Sequence, residues 1–498
     1  MKFGNRDKVV DVIVIGYGLA GAVAATTAHD EGAETLILEK QPFNDHWSNS
    51  SASGGIFISP SDVEGAIHFL EGLYRINEDL YWTDRDIIRV WAEYTVENRV
   101  WLEKMGGTVK LLGKGSEHPA IPGSESIDVY RFSGSGYGLM KFFYQQINQR
   151  KIEVMYGARA KKLITNLKGE IVGVTIQSSQ DIKQKETNIR ASKAVILTCG
   201  GFEFSEEMKL QYLGLYPVYF GGSPANTGDG IRMAMEVGSD LWHMHCCSAA
   251  LGAKFPGYPF SFFLDFGGKG WLQRVLWHED KPESNGFVIV DKYGRRFINE
   301  NLKMHCAYYE LMLFDTQKLD YPRIPCYFIF DQKRMDDGPL PILTAGPTSA
   351  LQLYKWSQDN RTELEKGWMI TAESIKELAH RLDMSPHILE STIMTYNAYS
   401  QGGKDIEFNR RAGDLVPLNN PPFYAIQLWP GGPNTQGGPK RNRRAQIVAI
   451  DGTPIPRLYS AGELGSIYGM LYPQGGSNLA ECIAFGRIAG ENAVKEKT

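Results

Sequence analysis

The sequence predicts an α/β fold in which a Rossmann-like domain is interrupted by an inserted α+β domain, and three observations lead to this prediction. A β-α-β pattern opens the chain, residues 237–370 are rich in aromatic residues, proline and short irregular segments, and strand-like segments return afterwards. At 498 residues the chain also exceeds what one hydrophobic core usually accommodates. We therefore expect a dinucleotide-binding domain made of residues 1–236 and 371–498, with residues 237–370 inserted as a cap domain.

The opening β-α-β unit carries a glycine pattern typical of dinucleotide binding. Residues 11–15 read as an apolar strand, followed by a turn with Gly16, Gly18 and Gly21 and by an alanine-rich helix. Such glycines allow the tight turn, the approach of the backbone to a pyrophosphate and close packing of helix on strand. The start of the helix, at Leu19 and Ala20, supplies N–H groups and the positive end of the helix dipole.

An acidic residue ends the second strand of this unit. Glu39 is placed to accept hydrogen bonds from the ribose hydroxyls of a dinucleotide, and Lys40 follows it. A carboxylate at this position disfavours the 2′-phosphate of NADP. These residues by themselves leave FAD and NAD open.

Four further motifs give the chain a family resemblance. They are residues 50–55 (SSASGG), 194–202 (AVILTCGGF), 226–230 (NTGDG) and 458–463 (LYSAGE). Their order resembles that of the FAD-dependent superfamily of fumarate reductases, succinate dehydrogenase flavoproteins and 3-ketosteroid dehydrogenases over nearly the whole chain. The motifs are most similar to ketosteroid and tricarballylate dehydrogenase-like members. The resemblance implies a glutathione-reductase type of FAD-binding domain and an oxidoreductase that acts on CH–CH donors.

The resemblance also implies which residues contact FAD. Residues 53–55 would lie along the flavin, Ala160 at the adenine edge, Asp229 near the pyrophosphate and Glu463 at the ribityl chain. Residues 475–479 precede a helix whose N–H groups would point at the flavin pyrimidine ring. The complete predicted set is Gly16, Gly18, Leu19, Ala20, Gly21, Glu39, Lys40, Ser51, Ser53, Gly54, Gly55, Ala160, Gly200, Gly201, Asn226, Asp229, Gly462, Glu463, Ser477, Asn478 and Leu479.

FAD is expected to be bound without a covalent link. Relatives with covalent FAD have a histidine shortly before the glycine pair that corresponds to Gly54 and Gly55. That position is Ser48 here, and His46 is out of register.

The expected acid of the cap domain is missing. Residues 291–300 (DKYGRRFINE) resemble the cap signature of the superfamily. Fumarate reductases place an arginine, and ketosteroid dehydrogenases a tyrosine, shortly after that glutamate. This sequence has Met304 there, with His305 beside it, so Tyr308 and Tyr309, one helical turn farther on, are the candidates that replace the acid.

A tyrosine motif at residues 472–473 indicates ketone chemistry. Tyr472-Pro473 is similar to the Tyr-Pro-Gly of ketosteroid and tricarballylate dehydrogenases. The resemblance implies that Tyr472 and the N–H of Gly476 polarise a substrate ketone, so that a phenolate-like Tyr468, Tyr308 or, with less support, His305 removes the α-proton. We therefore expect interconversion of a saturated and an α,β-unsaturated carbonyl compound, with a cyclic or steroid-like ketone as the substrate.

Two alternatives stay open at this stage. The histidine and arginine that clamp a dicarboxylate in fumarate reductases are replaced by Gly469 and Pro473, but residues 440–444 (KRNRR) supply other cations. An unsaturated carboxylate, held by the arginines of this segment, of which Arg441 is one, is therefore a second substrate class. The missing cap acid also motivates a third hypothesis, an electron-transfer flavoprotein subunit.

Composition limits the partners. With 53 basic against 57 acidic residues, neither nucleic acid nor an anionic membrane is expected as a partner. No apolar run approaches the roughly 20 residues of a membrane span, and the charged N-terminus leads us to expect a cytoplasmic protein. The six cysteines form no CxxC pattern and no metal site is expected, so electrons would be exchanged with a separate donor or acceptor. A homo-oligomer is compatible with the sequence.

Overall fold

A computed structural model describes most of the chain and divides it into two compact units. The first unit contains residues 1–213, 223–247 and 434–498, and the second contains residues 214–222 and 248–433. The insertion therefore ends at residue 433 rather than at the predicted residue 370. The reason is that the last strand of the insertion pairs with two earlier strands of the second unit. The described residues are 8–179, 185–264, 286–301, 304–341, 346–348 and 350–497.

Nineteen strands are found among the described residues. Most are short, and β1, β2, β9 and β19 are the ones that position the site. The strands are β1 (Lys8–Ile15), β2 (Thr35–Glu39), β3 (Ile56–Ile58), β4 (Val109–Lys114), β5 (Asp128–Phe132), β6 (Glu153–Tyr156), β7 (Ala158–Thr165), β8 (Ile171–Ser178), β9 (Glu186–Leu197), β10 (Tyr219–Phe220), β11 (Leu241–Trp242), β12 (Cys247–Ala253), β13 (Phe287–Val290), β14 (Cys326–Asp331), β15 (Ile370–Ala372), β16 (Phe423–Thr435), β17 (Gly438–Pro439), β18 (Gln446–Val448) and β19 (Pro454–Ser460).

Helices connect these strands, and two of them form the core of the first unit. Helix α1 packs along α13, and both are buried almost all round, which explains why neither has a polar face. The helices are α1 (Leu19–Asp30), α2 (Asn49–Ala52), α3 (Val63–Tyr74), α4 (Arg85–Thr95), α5 (Asn98–Lys104), α6 (Ser135–Gln149), α7 (Glu206–Tyr212), α8 (Asp229–Glu236), α9 (Gln332–Asp336), α10 (Arg361–Glu365), α11 (Ile375–Arg381), α12 (Pro386–Gly402) and α13 (Ser477–Val494).

The main sheet of the first unit is built around parallel strands. Its order is β18-β19-β9-β1-β2-β6, with β7 and β8 as an added hairpin that joins it through β9. Strands β1, β2, β6, β9 and β19 run parallel, and Val12, Ile13 and Val14 are fully buried, as expected for a strand covered on both faces. The carboxyl ends of β1, β2, β9 and β19 consequently meet at one edge, where α/β folds bind ligands.

The second unit has its own sheet and its own core. Strand β16 lies at the centre of a six-stranded sheet and pairs antiparallel with β14. The predicted cap signature contributes Arg296 and Glu300, which form a buried ion pair at 2.8 Å that also includes Asp405. This part of the signature therefore stabilises the fold of the unit. No helix within the described parts of the two units combines the length and the apolar character needed to cross a bilayer.

Candidate active site

A glycine turn joins β1 to α1 at the sheet edge, as the sequence predicts. Gly16 has a φ of +105°, and a Cβ there would lie 2.5 Å from the carbonyl oxygen of Thr198. A Cβ on Gly21 would lie 2.0 Å from the carbonyl oxygen of Gly16. Side chains are therefore excluded at both positions by backbone contacts. At Gly18 the nearest atom would be 3.7 Å away, so this glycine leaves room beside the turn.

The turn forms a wall of a cavity at this edge of the sheet. All residues that line the cavity belong to the first unit. Eleven predicted cofactor residues are brought together here: Gly16, Gly18, Leu19, Ala20, Glu39, Lys40, Ala160, Gly200, Asn226, Asp229 and Glu463.

Other lining residues were missed by the sequence analysis. The hydroxyl of Ser50 accepts a hydrogen bond from the N–H of Leu19 at 3.2 Å, and the amide of Asn49 donates to Glu463 at 3.0 Å. Asn49 and Ser50 come shortly before Ser51, a residue of the predicted set, so their position beside that serine was the signal that could have identified them. The other missed residues of note are Tyr17, Trp47, Ser48, Arg159, Cys199 and Cys482.

Ser51 and Ser53, whose contacts with the cofactor stay predictions, form local hydrogen bonds at α2. Ser51 forms a capping box with Ser48 at the start of α2, and the hydroxyl of Ser53 donates to the carbonyl oxygen of Ser50 at 2.7 Å. Their side chains stabilise α2, and neither lines the cavity. Gly21, Gly54, Gly55, Gly201, Gly462, Ser477, Asn478 and Leu479 are likewise absent from the cavity lining.

Glu39 is held at the carboxyl end of β2. Its carboxylate accepts the N–H of Tyr17 at 3.0 Å and that of Gln41 at 2.8 Å, and it faces Nε2 of His46 at 3.5 Å. Burial by itself would raise the pKa of Glu39, but His46 and the two N–H groups outweigh burial and lower it. The carboxylate is therefore charged and oriented, as a ribose-binding acid requires.

A cationic cluster lies on the same cavity. Asp229 pairs with Lys40 through one oxygen and with Arg159 through the other, each at 3.0 Å. Partial burial would raise the pKa of Asp229, but the two cations lower it. Two positive charges against one negative charge leave the cluster cationic, which suits a pyrophosphate.

Two carboxyl groups lie at the cavity, one behind its wall and one in its lining. Glu203 is fully buried and accepts the N–H of Thr435 at 2.8 Å, while Glu463 lines the cavity. Burial raises the pKa of Glu203 from 4.5 to about 7, and burial together with the charge of Glu203 raises the pKa of Glu463.

The raised pKa of Glu203 predicts a pH-dependent stability. Its folded-state pKa exceeds the ordinary value, so its contribution is complete below pH 4.5 and is lost as the pH rises through about 7. We expect Glu203→Gln to remove this loss, which amounts to at most about 3 kcal/mol at pH 8. Urea unfolding at pH 5 and pH 8 measures it, with the exposed Glu207→Gln as the control. Equal pH dependence in the variant and the wild type would contradict the assignment.

Several buried polar atoms surround the start of α13. Cys482, in the second turn of this helix, lines the cavity. The helix begins at Ser477, so its start lies roughly 7 Å from Cys482 along the helix axis. Among the described residues, no hydrogen-bond partner is found for the side chain of Gln474, for Ser477 Oγ or for Gln436 Oε1. Buried polar atoms normally have partners. Unpartnered buried donors and acceptors of this kind fit the polar pyrimidine edge of a flavin.

Tyr472 faces this helix start. Its hydroxyl oxygen accepts the N–H of Asn478 at 2.9 Å, and the ring is 4% exposed. Burial, more than the nearby carboxylates, raises the pKa of Tyr472. The side chain is therefore a neutral phenol whose proton is directed away from the Asn478 amide. Gly476 caps the same helix with a φ of +100°, where a Cβ would lie 2.8 Å from the backbone of Ile56.

Tyr468, whose role as a base stays a prediction, is held by two hydrogen bonds. Its hydroxyl donates to the carbonyl oxygen of Ser477 and accepts from the indole N–H of Trp91, both at 2.9 Å, and the residue is fully buried. Burial raises the pKa of Tyr468, which opposes a phenolate. Tyr468 therefore positions the first turn of α13.

The other two catalytic candidates lie in the second unit. His305 and Tyr308 belong to the 3₁₀ helix Met304–Met312, and they are 5% and 0% exposed. Tyr308 packs edge-on against Tyr309 at 5.4 Å. Their catalytic roles stay predictions.

Arg441, one of the cations considered for a carboxylate, pairs with an internal carboxylate. It is fully buried, pairs with Glu481 of α13, donates to the carbonyl oxygen of Gly462 at 3.1 Å and lies over the ring of Phe485. The hypothesis of a carboxylate held by the arginines of residues 440–444 stays a prediction.

Comparisons with known proteins agree with this geometry. The model of the family described as "FAD binding domain" matches residues 11–479. The chain is 26% identical to digoxin reductase of Eggerthella lenta, with 97% of this chain and 86% of the relative covered. It is also 26% identical to 3-oxosteroid 1-dehydrogenase of Mycobacterium tuberculosis, with 96% of this chain and 97% of the relative covered. The crystal structure of 3-ketosteroid Δ1-dehydrogenase from Sterolibacterium denitrificans has a similar fold, with a TM-score of 0.82, 20% identity, and 98% and 100% coverage.

Proposed function

This chain belongs to the FAD binding domain family and is an FAD-dependent oxidoreductase acting on CH–CH donors, and we propose that it interconverts a saturated ketone and its α,β-unsaturated counterpart. The observation that carries the proposal is the neutral hydroxyl of Tyr472 at the start of α13. Bound FAD supplies the two-electron donor and acceptor for the hydride. With an enzyme class shown, the hypothesis of an electron-transfer subunit is set aside.

Tyr472 acts as the electrophile in this proposal. The Asn478 N–H fixes the position of the phenol oxygen, the phenol is proposed to donate its proton to a ketone oxygen, and the N–H of Gly476 is the proposed second donor. Hydrogen bonds to the ketone oxygen are worth most when that oxygen becomes an enolate, because the site is buried and the donors are already in place.

A cyclic or steroid-like ketone is the proposed substrate class. Two relatives are named for digoxin and for 3-oxosteroids, and Arg441, one of the cations considered for a carboxylate, is committed to Glu481. Electrons would pass to or from a separate carrier, since the sequence has no haem or cluster motif. A cytoplasmic location and a homo-oligomer stay predictions.

FAD is proposed to bind non-covalently. The ring of His46 stacks on Tyr17 with centroids 5.5 Å apart, and its Nε2 faces Glu39, so this histidine is committed to the ribose end of the cavity. Ser48, which stands where covalent relatives have their histidine, caps α2. The remaining cofactor contacts are proposed for the residues that line the cavity and for residues 477–479.

Acid precipitation tests this attachment. We expect the yellow colour to stay in the supernatant after precipitation with trichloroacetic acid, because no covalent link retains the flavin. Absorbance of the supernatant and of the redissolved pellet measures the distribution. A coloured pellet after repeated washing would show a covalent bond.

The proposed reaction is tested by anaerobic stopped-flow spectroscopy. The yellow protein is mixed with saturated cyclic ketones, 3-ketosteroids and carboxylates, while the oxidised-flavin absorbance is followed. Bleaching by a ketone supports dehydrogenation, and reoxidation of dithionite-reduced protein by an enone supports the reverse reaction. A response to carboxylates alone would contradict the proposed substrate class.

A further inference from the structure

A buried histidine packs into a cluster of rings beside the acid at the end of β2. The side chain of His46 is 4% exposed, and its ring stacks on Tyr17 with an interplanar angle of 11°. Tyr156 packs edge-on against the same ring at 5.7 Å, and the hydroxyl of Tyr144 lies 3.3 Å from Nδ1. The imidazole is therefore fixed in position, with its other nitrogen, Nε2, facing the carboxylate of Glu39 at 3.5 Å.

The two oxygens of the Glu39 carboxylate are held by different groups. Oε1 accepts the N–H of Gln41 at 2.8 Å, and the side-chain amide of Gln41 also donates to the carbonyl oxygen of Trp47 at 3.0 Å. Oε2 accepts the N–H of Tyr17 at 3.0 Å and is the oxygen that Nε2 of His46 faces. His46 consequently acts on Oε2 twice, directly through Nε2 and indirectly by stacking on Tyr17.

The position of His46 indicates that it acts through the carboxylate. Glu39 and Tyr17 line the cofactor cavity, whereas His46 is not among the described residues that line it. A carboxylate offers about four acceptor sites, so the two backbone N–H groups leave sites for the hydroxyls of a ligand. Nε2 has no hydrogen-bond partner in the described part of the chain, so its contact with Glu39 at 3.5 Å is electrostatic.

We infer that His46 is a positioning residue for the cofactor, which holds the Glu39 carboxylate in the orientation that accepts the 2′-hydroxyl of the FAD ribose. The inference rests on the proposed ribose contact of Glu39 and is independent of the ketone substrate. A hydroxyl binds more tightly to an acceptor that is already fixed, because less conformational freedom is lost on binding. Without the imidazole, Oε2 loses its electrostatic contact, and the preference for a cofactor with the 2′-hydroxyl falls.

A comparison of two cofactors on the full-length apoprotein tests this role. Flavin fluorescence measures the Kd of FAD and that of an FAD analogue whose adenosine lacks the 2′-hydroxyl. We expect the wild type to bind FAD about 10- to 100-fold more tightly than the analogue, which corresponds to one hydrogen bond to a charged group. His46→Phe keeps a stacking ring but removes both nitrogens, and it should lower this ratio to about threefold or less.

Two amide variants distinguish the two ring nitrogens of His46. The amide of His46→Gln reaches the position of Nε2 and should keep most of the ratio, whereas the amide of His46→Asn reaches only the position of Nδ1 and should lose it. These variants carry the test if His46→Phe does not fold. The exposed His68→Phe is the matched control and should equal the wild type. A purely structural histidine would weaken both cofactors by the same factor and leave the ratio unchanged.

The outcomes separate this inference from the proposals on which it rests. An unchanged ratio in His46→Phe and His46→Asn, beside a wild type that discriminates, overturns the role of His46 and leaves the ribose contact of Glu39 intact. A wild type that binds both cofactors equally refutes that ribose contact and the role of His46 with it. The proposed reaction is judged separately by ketone bleaching, which measures flavin reduction rather than ribose binding.

Discussion

Replacing Tyr472 with phenylalanine is expected to slow flavin bleaching by the best ketone of the panel by about 100- to 1,000-fold. The substitution removes a hydroxyl whose oxygen is fixed by the Asn478 N–H at 2.9 Å. Its proton can then no longer stabilise the enolate, while the ring remains to fill the same volume. Single-turnover stopped-flow measurement at saturating ketone gives the rate, which isolates the chemical step from binding.

The matched control is Tyr137→Phe, which removes a hydroxyl from a tyrosine that is 57% exposed. Flavin content of both variants has to equal that of the wild type, because Tyr472 also supports the start of α13. A Tyr472→Phe protein that bleaches at the wild-type rate would show that another group polarises the ketone.

Replacing Glu481 with alanine is expected to destabilise the first unit by about 3–5 kcal/mol, because it leaves a buried guanidinium unpaired. Glu481 pairs with Arg441, accepts from Ser466 Oγ at 2.5 Å, and accepts from the N–H of Ile467 at 3.0 Å. Its loss therefore also releases the loop that leads to Tyr468. Urea unfolding of the flavin-loaded protein measures the change.

A second variant separates charge burial from packing. Arg441→Met combined with Glu481→Leu removes both charges and keeps apolar volume, so we expect it to recover much of the loss. Removing the exposed glutamate of the Arg381–Glu377 pair should have little effect, because water screens that pair. Equal destabilisation by the single and the double variant would indicate that packing, rather than the unpaired charge, dominates.

The direction of the side chain distinguishes neighbouring tyrosines and neighbouring serines in this structure. Tyr468 and Tyr472 are close in sequence and equally aromatic, yet the first bonds Trp91 and the carbonyl of Ser477 while the second faces the Asn478 amide. In α2, the predicted Ser51 caps the helix and the neighbouring Ser50 lines the cavity. Two residues of the same type that are one or a few positions apart can point in different directions, and a sequence motif does not specify that direction.

By itself the sequence determined the β-α-β unit, the glycine turn, the acid at Glu39 and the FAD family. These features are local, since strand, turn and helix follow from residues that are neighbours along the chain, and the motifs repeat a known order. The glycine turn is an example, because any side chain at Gly16 would clash with the backbone of Thr198.

The tertiary structure alone decided which polar groups surround Tyr472. Glu117 and Gly475 are 358 positions apart, Arg441 is committed to Glu481, and the inserted unit extends to residue 433 because β16 completes its sheet. Such pairings depend on burial and on partners distant in the chain. The energy of a buried charge or hydrogen bond is set by those partners, and the local pattern of the sequence carries no record of them.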